Sequence, residues 1–147
     1  MDIFTTFKIA GSALKAQRIR LNTISSNLAN VETTSTPEGG PYKKKSVYFE
    51  TQNIPFSEHL KSNMGSEADK AVQGVRVARI LEDQDPPQRI YNPTHPDAGE
   101  DGYVEMPNIS VLKEMTDMMS ATRSYEANTT VVKSAKRMAL KALEIGR

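Results

Sequence analysis

The residues of this 147-residue chain that could do chemistry are few, and their spacing is poor for it. His95 stands in the run Asn92, Pro93, Thr94, His95, Pro96, Asp97, and the only other histidine is His59, in a polar stretch of weak pattern. A zinc site of the helical kind needs histidines four residues apart or an HExxH frame, and neither occurs. Acid–base or nucleophilic catalysis needs a nucleophile, a base and an orienting group that can be named together. His95 and Asp97 supply at most two of the three, so His95 reads as a loop histidine bonded to backbone. The stretch from Asp97 to Gly102 echoes a calcium loop at positions 1, 5 and 6. Its position 3 is Gly99 and its position 12 is Asn108, so the bidentate glutamate is missing. Gly39, Gly40, Pro41 and Tyr42 precede Lys43, Lys44 and Lys45, but the spacing is not that of a phosphate-binding loop and Pro41 removes a donor. Those lysines read as a solvated strand edge, or as partners for a phosphate or an acidic neighbour. With no cysteine there is neither a disulfide nor a thiolate metal site. The expectation is a protein that is not an enzyme and carries no cofactor or metal.

The charge is nearly balanced, 19 Lys+Arg against 18 Asp+Glu, which disfavours a dedicated nucleic-acid binder. It is not evenly spread. Residues 1–30 carry net +3, residues 110–147 net +3, and residues 31–109 net −5. From 82 to 105 there are seven acids and one base, Arg89. All eight prolines lie between Pro37 and Pro107. Proline breaks helix interiors, so the ends are free to be long helices and the centre is not. No apolar run approaches the ~18 residues of a membrane span, and the first residues lack the basic and apolar regions of a cleaved signal.

Both ends carry helical periodicity. Ile3, Phe7, Ala10, Leu14, Gln17, Leu21, Ile24, Leu28 and Val31 follow steps of four and three, a seam with Gln17 as its one polar seat. Such a helix is ~40 Å long and must project or find a partner. At the other end Val111, Met115, Met118, Thr122, Tyr125, Thr129, Val132, Ala139 and Leu143 repeat the steps, interrupted at Lys136. Ser110 is a suitable N-cap, with Glu114 and Asp117 near the positive helix end. Two readings stay open on pattern alone: an intramolecular helical hairpin, or a coiled coil that also packs against other copies. The centre reads as turns and short strands at 42–49, 74–80 and 102–106, with 56–73 undecided between loop and short helix. The expected fold is therefore α+β, with two long terminal helices in an antiparallel coiled-coil-like pair around a small β-rich centre. Its divisions are 1–30, 31–109 and 110–147.

The run from Ala16 and Gln17 through Asn22, Ser26, Asn27, Leu28, Ala29 and Asn30 resembles the N-terminal signature of the flagellar rod, hook and filament-junction proteins. Further along, Pro37, Gly39, Gly40, Pro41 and Tyr42 are similar to the proximal-rod members of the flagella basal body rod protein family. So are Asn92, Pro93, His95, Pro96 and Asp97, then Gly102, Tyr103, Pro107, Asn108 and Glu114, and finally Asn128 in Ser124–Asn128. The resemblance implies a structural subunit of the bacterial flagellar basal-body rod, assembling helically through its terminal helices into drive shaft and export channel. It implies that the seam residues are subunit interfaces, and that 27–30 end the first helix and redirect the chain. Implied partners are further copies, other flagellar rod proteins, the MS-ring/rod adaptor and the flagellar type III export apparatus, with no nucleic acid and no direct membrane insertion. The implied place is the rod in the periplasm, reached without a cleaved signal. The competing reading of the residues is a basic amphipathic-helix module for nucleic acid or anionic membrane, whose mark would be strong salt dependence.

Overall fold

The structure, a computed structural model, describes residues 3–52 and 73–145. The undecided stretch at 56–73, apart from Gln73, lies outside the described residues, and His59 with it. The elements run α1 (Ile3–Ala29), β1 (Lys45–Thr51), β2 (Val75–Glu82), β3 (Gln88–Tyr91), β4 (Tyr103–Met106) and α2 (Val111–Ile145). The architecture is α+β, with two small sheets between two long terminal helices in chain order, in keeping with the proline distribution.

Helix α1 holds no proline and one glycine, the exposed Gly11, over 27 residues. It stops at Asn30, whose backbone N and side-chain Nδ2 both donate to Ser26 O, at 3.1 and 2.8 Å. Thr33 N then donates to Asn30 O at 3.1 Å and turns the chain. Helix α2 begins where Glu114 N bonds Ser110 O at 3.0 Å, which places Ser110 at the N-cap position. Its β-branched and amide residues bond back one turn, Thr116 to Leu112 O, Asn128 to Ser124 O and Thr129 to Tyr125 O. That back-bonding satisfies polar side chains inside a 35-residue helix.

Strands β1 and β2 pair, bracketed by Asp83 N to Lys44 O at one end and Gln52 N to Gly74 O at the other, an antiparallel register. Strands β3 and β4 pair antiparallel, Gln88 opposite Met106 and Tyr91 opposite Tyr103. Sequence periodicity foresaw β1, β2 and β4 but not β3. All four β3 residues are exposed, so no buried face marks them, and only pairing with β4 makes them a strand.

By contacts the chain forms two compact units. One comprises Met1–Ile19, Phe49–Ala78 and Thr122–Arg147. Its buried side chains include Ala10, Ala16 and Ala135. Here Ser12 Oγ donates to Ile9 O at 2.7 Å and accepts from Val75 N at 3.1 Å, fastening the start of β2 to α1. The approach is close enough that a Cβ on Gly74 would sit 2.7 Å from Ser12 Oγ. The other unit comprises Arg20–Tyr48 and Arg79–Ala121. It buries Ile24, Val104, Ile109 and Ala121 together with the polar Thr23, Asn27 and Glu114. Two links hold α1 to α2 within this unit, Arg20 to Asp117 at 3.4 Å and Asn27 to Glu114 at 3.1 Å. Numbers rise on one helix as they fall on the other, so the helices are antiparallel there.

Candidate functional site

A heavily bonded point among the described residues is a side chain with no catalytic chemistry. Asn27, in the last turn of α1, is 1% exposed and uses its full hydrogen-bonding capacity. Its Nδ2 donates to Lys45 O at 2.8 Å and to Glu114 Oε2 at 3.1 Å. Its Oδ1 accepts from Lys45 N at 2.9 Å and from Tyr42 OH at 3.2 Å. The tyrosine proton being so used, Ser26 Oγ donates to Tyr42 OH at 3.3 Å. One amide thus ties together the end of α1, the start of β1 and the first turn of α2. An amide suits this place because it offers donors and acceptors at once without bringing in charge.

Glu114 brings the charge. It is 2% exposed, and Lys44 Nζ lies 2.7 Å from its Oε1. A buried carboxylate is tolerated when a cation and further donors meet it; here Asn27 donates to Oε2, while Oε1 faces the Lys44 ammonium as an ion pair without a hydrogen bond of good geometry. Lys45, the next residue along β1, points to Glu82 at 3.5 Å on an exposed surface. Two of the three lysines, Lys44 and Lys45, therefore meet acidic neighbours within their own chain, one of the alternatives the sequence allowed, while Lys43 is exposed.

The loops that feed this hub are shaped by a few fixed turns. Gly39 (φ 90°) and Gly40 (φ 77°) adopt left-handed backbone, and Gly39 N and Thr36 N close the turn onto Thr36 O and Gly40 O at 2.9 and 3.0 Å. In the β3–β4 connection, Asp97 N donates to His95 Nδ1 at 3.1 Å, so His95 is the backbone-bonded loop histidine expected from sequence. Thr34 Oγ1 donates to Asp97 Oδ2 at 2.6 Å and joins this loop to the turn after α1. Gly102 (φ 72°) leaves no room for a side chain, since a Cβ there would lie 2.9 Å from Tyr91 Cε2. Tyr91 packs edge-on to Tyr103 with ring centroids 5.3 Å apart. Asn92 N to Gly102 O closes the connection at 3.0 Å, and Asn108 accepts from Gln88 at 2.9 Å.

The family model described as "Flagella basal body rod protein" matches residues 7–35, and "Flagellar basal body rod FlgEFG protein C-terminal" matches residues 100–145. The chain is 45% identical, over the full length of both, to the flagellar basal-body rod protein FlgC of Bacillus subtilis (strain 168). It is 42% identical to the protein of the same name from Borreliella burgdorferi, over 99% of this chain and 98% of that one. Against that of Salmonella typhimurium (strain LT2) identity is 42% over the whole of both chains. The chain belongs to the FlgC family of flagellar basal-body rod proteins. It is a structural subunit of the basal-body rod and not an enzyme.

Membership gives the hub its meaning. One family match contains Asn27 and the other contains Glu114, and the two segments meet in the bond between those side chains. Other motif residues of the FlgC-like pattern fall on the same framework: Asn30 on the stop of α1, Pro37 to Tyr42 on the glycine turn, and Asn92 to Tyr103 on the closed connection. Pro107 is buried directly before α2, Asn128 bonds back along α2, and Asn22 and Ala29 are exposed on α1.

The seam residues divide differently on the two helices. On α1, Ile24 is buried, and Ile3, Phe7, Leu14, Gln17, Leu21 and Leu28 are half-buried, as is Val31 just beyond the helix. Gln17 Oε1 is buried with no donor in reach among the described residues. On α2, Met118, Thr129 and Val132 are half-buried, whereas Met115, Thr122, Tyr125 and Leu143 are exposed. The row that α2 turns inward is Glu114, Ala121, Asn128 and Ala135, one position from the row that periodicity picks out. Large methionine and tyrosine side chains dominate a hydrophobicity pattern, while alanines, which allow close packing, barely register in it. Glu114 and Lys44 as a buried pair were not visible as such in sequence, because the desolvation that makes them partners depends on α1 lying 87 residues away.

Proposed function

We propose that this FlgC-family chain assembles helically through its terminal helices into the proximal rod, which serves as drive shaft and export channel. In this reading residues 1–30 and 110–147 are the rod helices, residues 31–109 form the outer region, and the seam residues contact neighbouring subunits. The observation that carries it is the exposed apolar surface of α2. Ten of the exposed large apolar residues lie on this helix, among them Leu112 (78%), Met119 (58%) and Met138 (60%). Leu112, Met115 and Met119 follow at helical steps of three and four on one side of α2, a clustering that marks an interaction site, and burying each such side chain contributes ~1.5–3 kcal/mol. The nearest partners are further copies and other rod proteins, then the MS-ring/rod adaptor at the base. Delivery is through the flagellar type III export apparatus to the periplasmic rod.

A complementation experiment tests this reading. In a strain lacking its own copy, the wild-type chain should be recovered in purified basal bodies and restore swimming. The double substitution Met115→Asp with Met119→Asp should be exported and yet be absent from basal bodies. Normal incorporation of that double variant would refute assembly through this face of α2.

A further inference from the structure

The outward stripe of α1 is as regular as its seam, and different in kind. Phe4, Lys8, Gly11, Lys15 and Arg18 are exposed at steps of four and three. The whole helix carries four bases, with Arg20, and no acid. Arg20 is engaged by Asp117, but no ion pair reaches Lys8, Lys15 or Arg18 among the described residues. Lys15 and Arg18 are one turn apart, ~4.5 Å along the axis, and form a two-cation face on a rigid element.

The chain also carries the complement. Of the acids between 82 and 105, Glu82 is held by Lys45, Asp97 by Thr34, and Asp83 by the backbone of Asp85. Glu105 lies opposite Arg89 in the β3–β4 register. Asp85, Glu100 and Asp101 remain with no basic side chain on them among the described residues, and of these only Glu100 and Asp101 are adjacent, as exposed carboxylates in the Gly99–Gly102 turn that leads into β4.

We propose that the Lys15–Arg18 face of α1 is a docking surface for the Glu100–Asp101 turn of a second copy of this chain, and that this contact sets the register between copies. It rests on the helical assembly proposed above. Two cations one turn apart match two adjacent carboxylates, and both halves reside on every subunit, so one contact can repeat along an assembly. Opposite fields of this sort steer encounter and penalise wrong registers more than they add affinity.

Charge reversal tests it. Lys15→Glu with Arg18→Glu, and separately Glu100→Lys with Asp101→Lys, should each lower the number of rods per cell about tenfold. Helicity and export should stay at wild-type level, since all four side chains are exposed. Placing all four substitutions in one chain should restore rods to at least about half the wild-type number. If a reversed helix loses helicity, Lys15→Gln with Arg18→Gln takes its place and should lower rod number about threefold, an effect that 0.5 M salt does not deepen. Normal rods from either double variant would overturn the proposal, and so would failure of the fourfold variant to recover. If instead the wild-type chain were absent from basal bodies, it is the assembly reading itself that would fall.

Discussion

Replacing Asn27 with alanine removes one side chain and strands three groups. Lys45 N–H and Lys45 C=O lose their partners at 2.9 and 2.8 Å, and Glu114 Oε2 loses its donor at 3.1 Å. A buried polar group left unpaired costs ~1–3 kcal/mol, and more when it is charged. Lys45 is only part-buried, so water recovers some of its loss, and Lys44 still holds Glu114 at 2.7 Å. The net cost is therefore ~3 kcal/mol. With a urea slope of ~2 kcal/mol per molar, the unfolding midpoint of the purified chain, followed by circular dichroism at 222 nm, should fall by ~1.5 M. Tyr42→Phe removes one bond of the same hub and should cost ~1 kcal/mol, a shift of ~0.5 M. A shift below ~0.5 M for Asn27→Ala would mean that the hub is wet and that Asn27 is not what joins α1 to α2.

Gly102→Ala should destabilise by ~1–3 kcal/mol, because its φ is 72° and a Cβ meets Tyr91 at 2.9 Å; a thermal melt read on tyrosine absorbance reports it. Gly39→Ala, with open space around it, should cost only ~1 kcal/mol for its positive φ in the same melt. Arg20→Ala should change stability by under ~1 kcal/mol, since the pair with Asp117 is a third exposed on both sides, and a urea midpoint checks that. Hydrogen exchange on the free chain should protect the amides around Ile24 and Ala121 and leave those around Leu143 fast, because Ala135 is the last buried residue of α2 among the described residues; uniform protection to the end of α2 would contradict this.

Much of the framework was legible because it depends on local pattern. The helices could be read from the confinement of prolines to 37–107 and from the four-three steps of apolar residues at both ends. The stop of α1 was legible in the Asn27–Asn30 motif. The inward row of α2 was not, because a contact made through Ala121 and Ala135 leaves little hydrophobic signature beside Met115 and Tyr125. Strand β3 was hidden by exposure of all its residues and by Pro86 and Pro87 just before it. The hub was half legible: motif resemblance pointed to Asn27 and Glu114 separately. Their bond, and the desolvation that brings Lys44 to the pair, arise only when segments 87 residues apart come together.

The division of side chains on α2 bears on what drives assembly. The inward row uses glutamate, alanine and asparagine, which bury little apolar area each. The outward surface carries leucine, methionine and valine, whose burial is worth ~1.5–3 kcal/mol apiece. A helix whose larger apolar side chains face away from its own partner leaves apolar surface that the proposed assembly would cover. Exposed ion pairs such as Lys15 with Glu100 add only ~0–1 kcal/mol each, too little to hold a shaft together. In the assembly proposed above, burial of apolar surface would therefore supply the strength and charge the register. The two should separate with ionic strength. At 0.5 M salt the screening length falls to ~4 Å, while apolar burial is not weakened. Subunits assembling there should still associate but with poorer order, seen as rods of irregular length and axis by electron microscopy. Complete loss of association at that salt would show instead that charge carries the affinity, and the role assigned to the outward face of α2 would have to be given up.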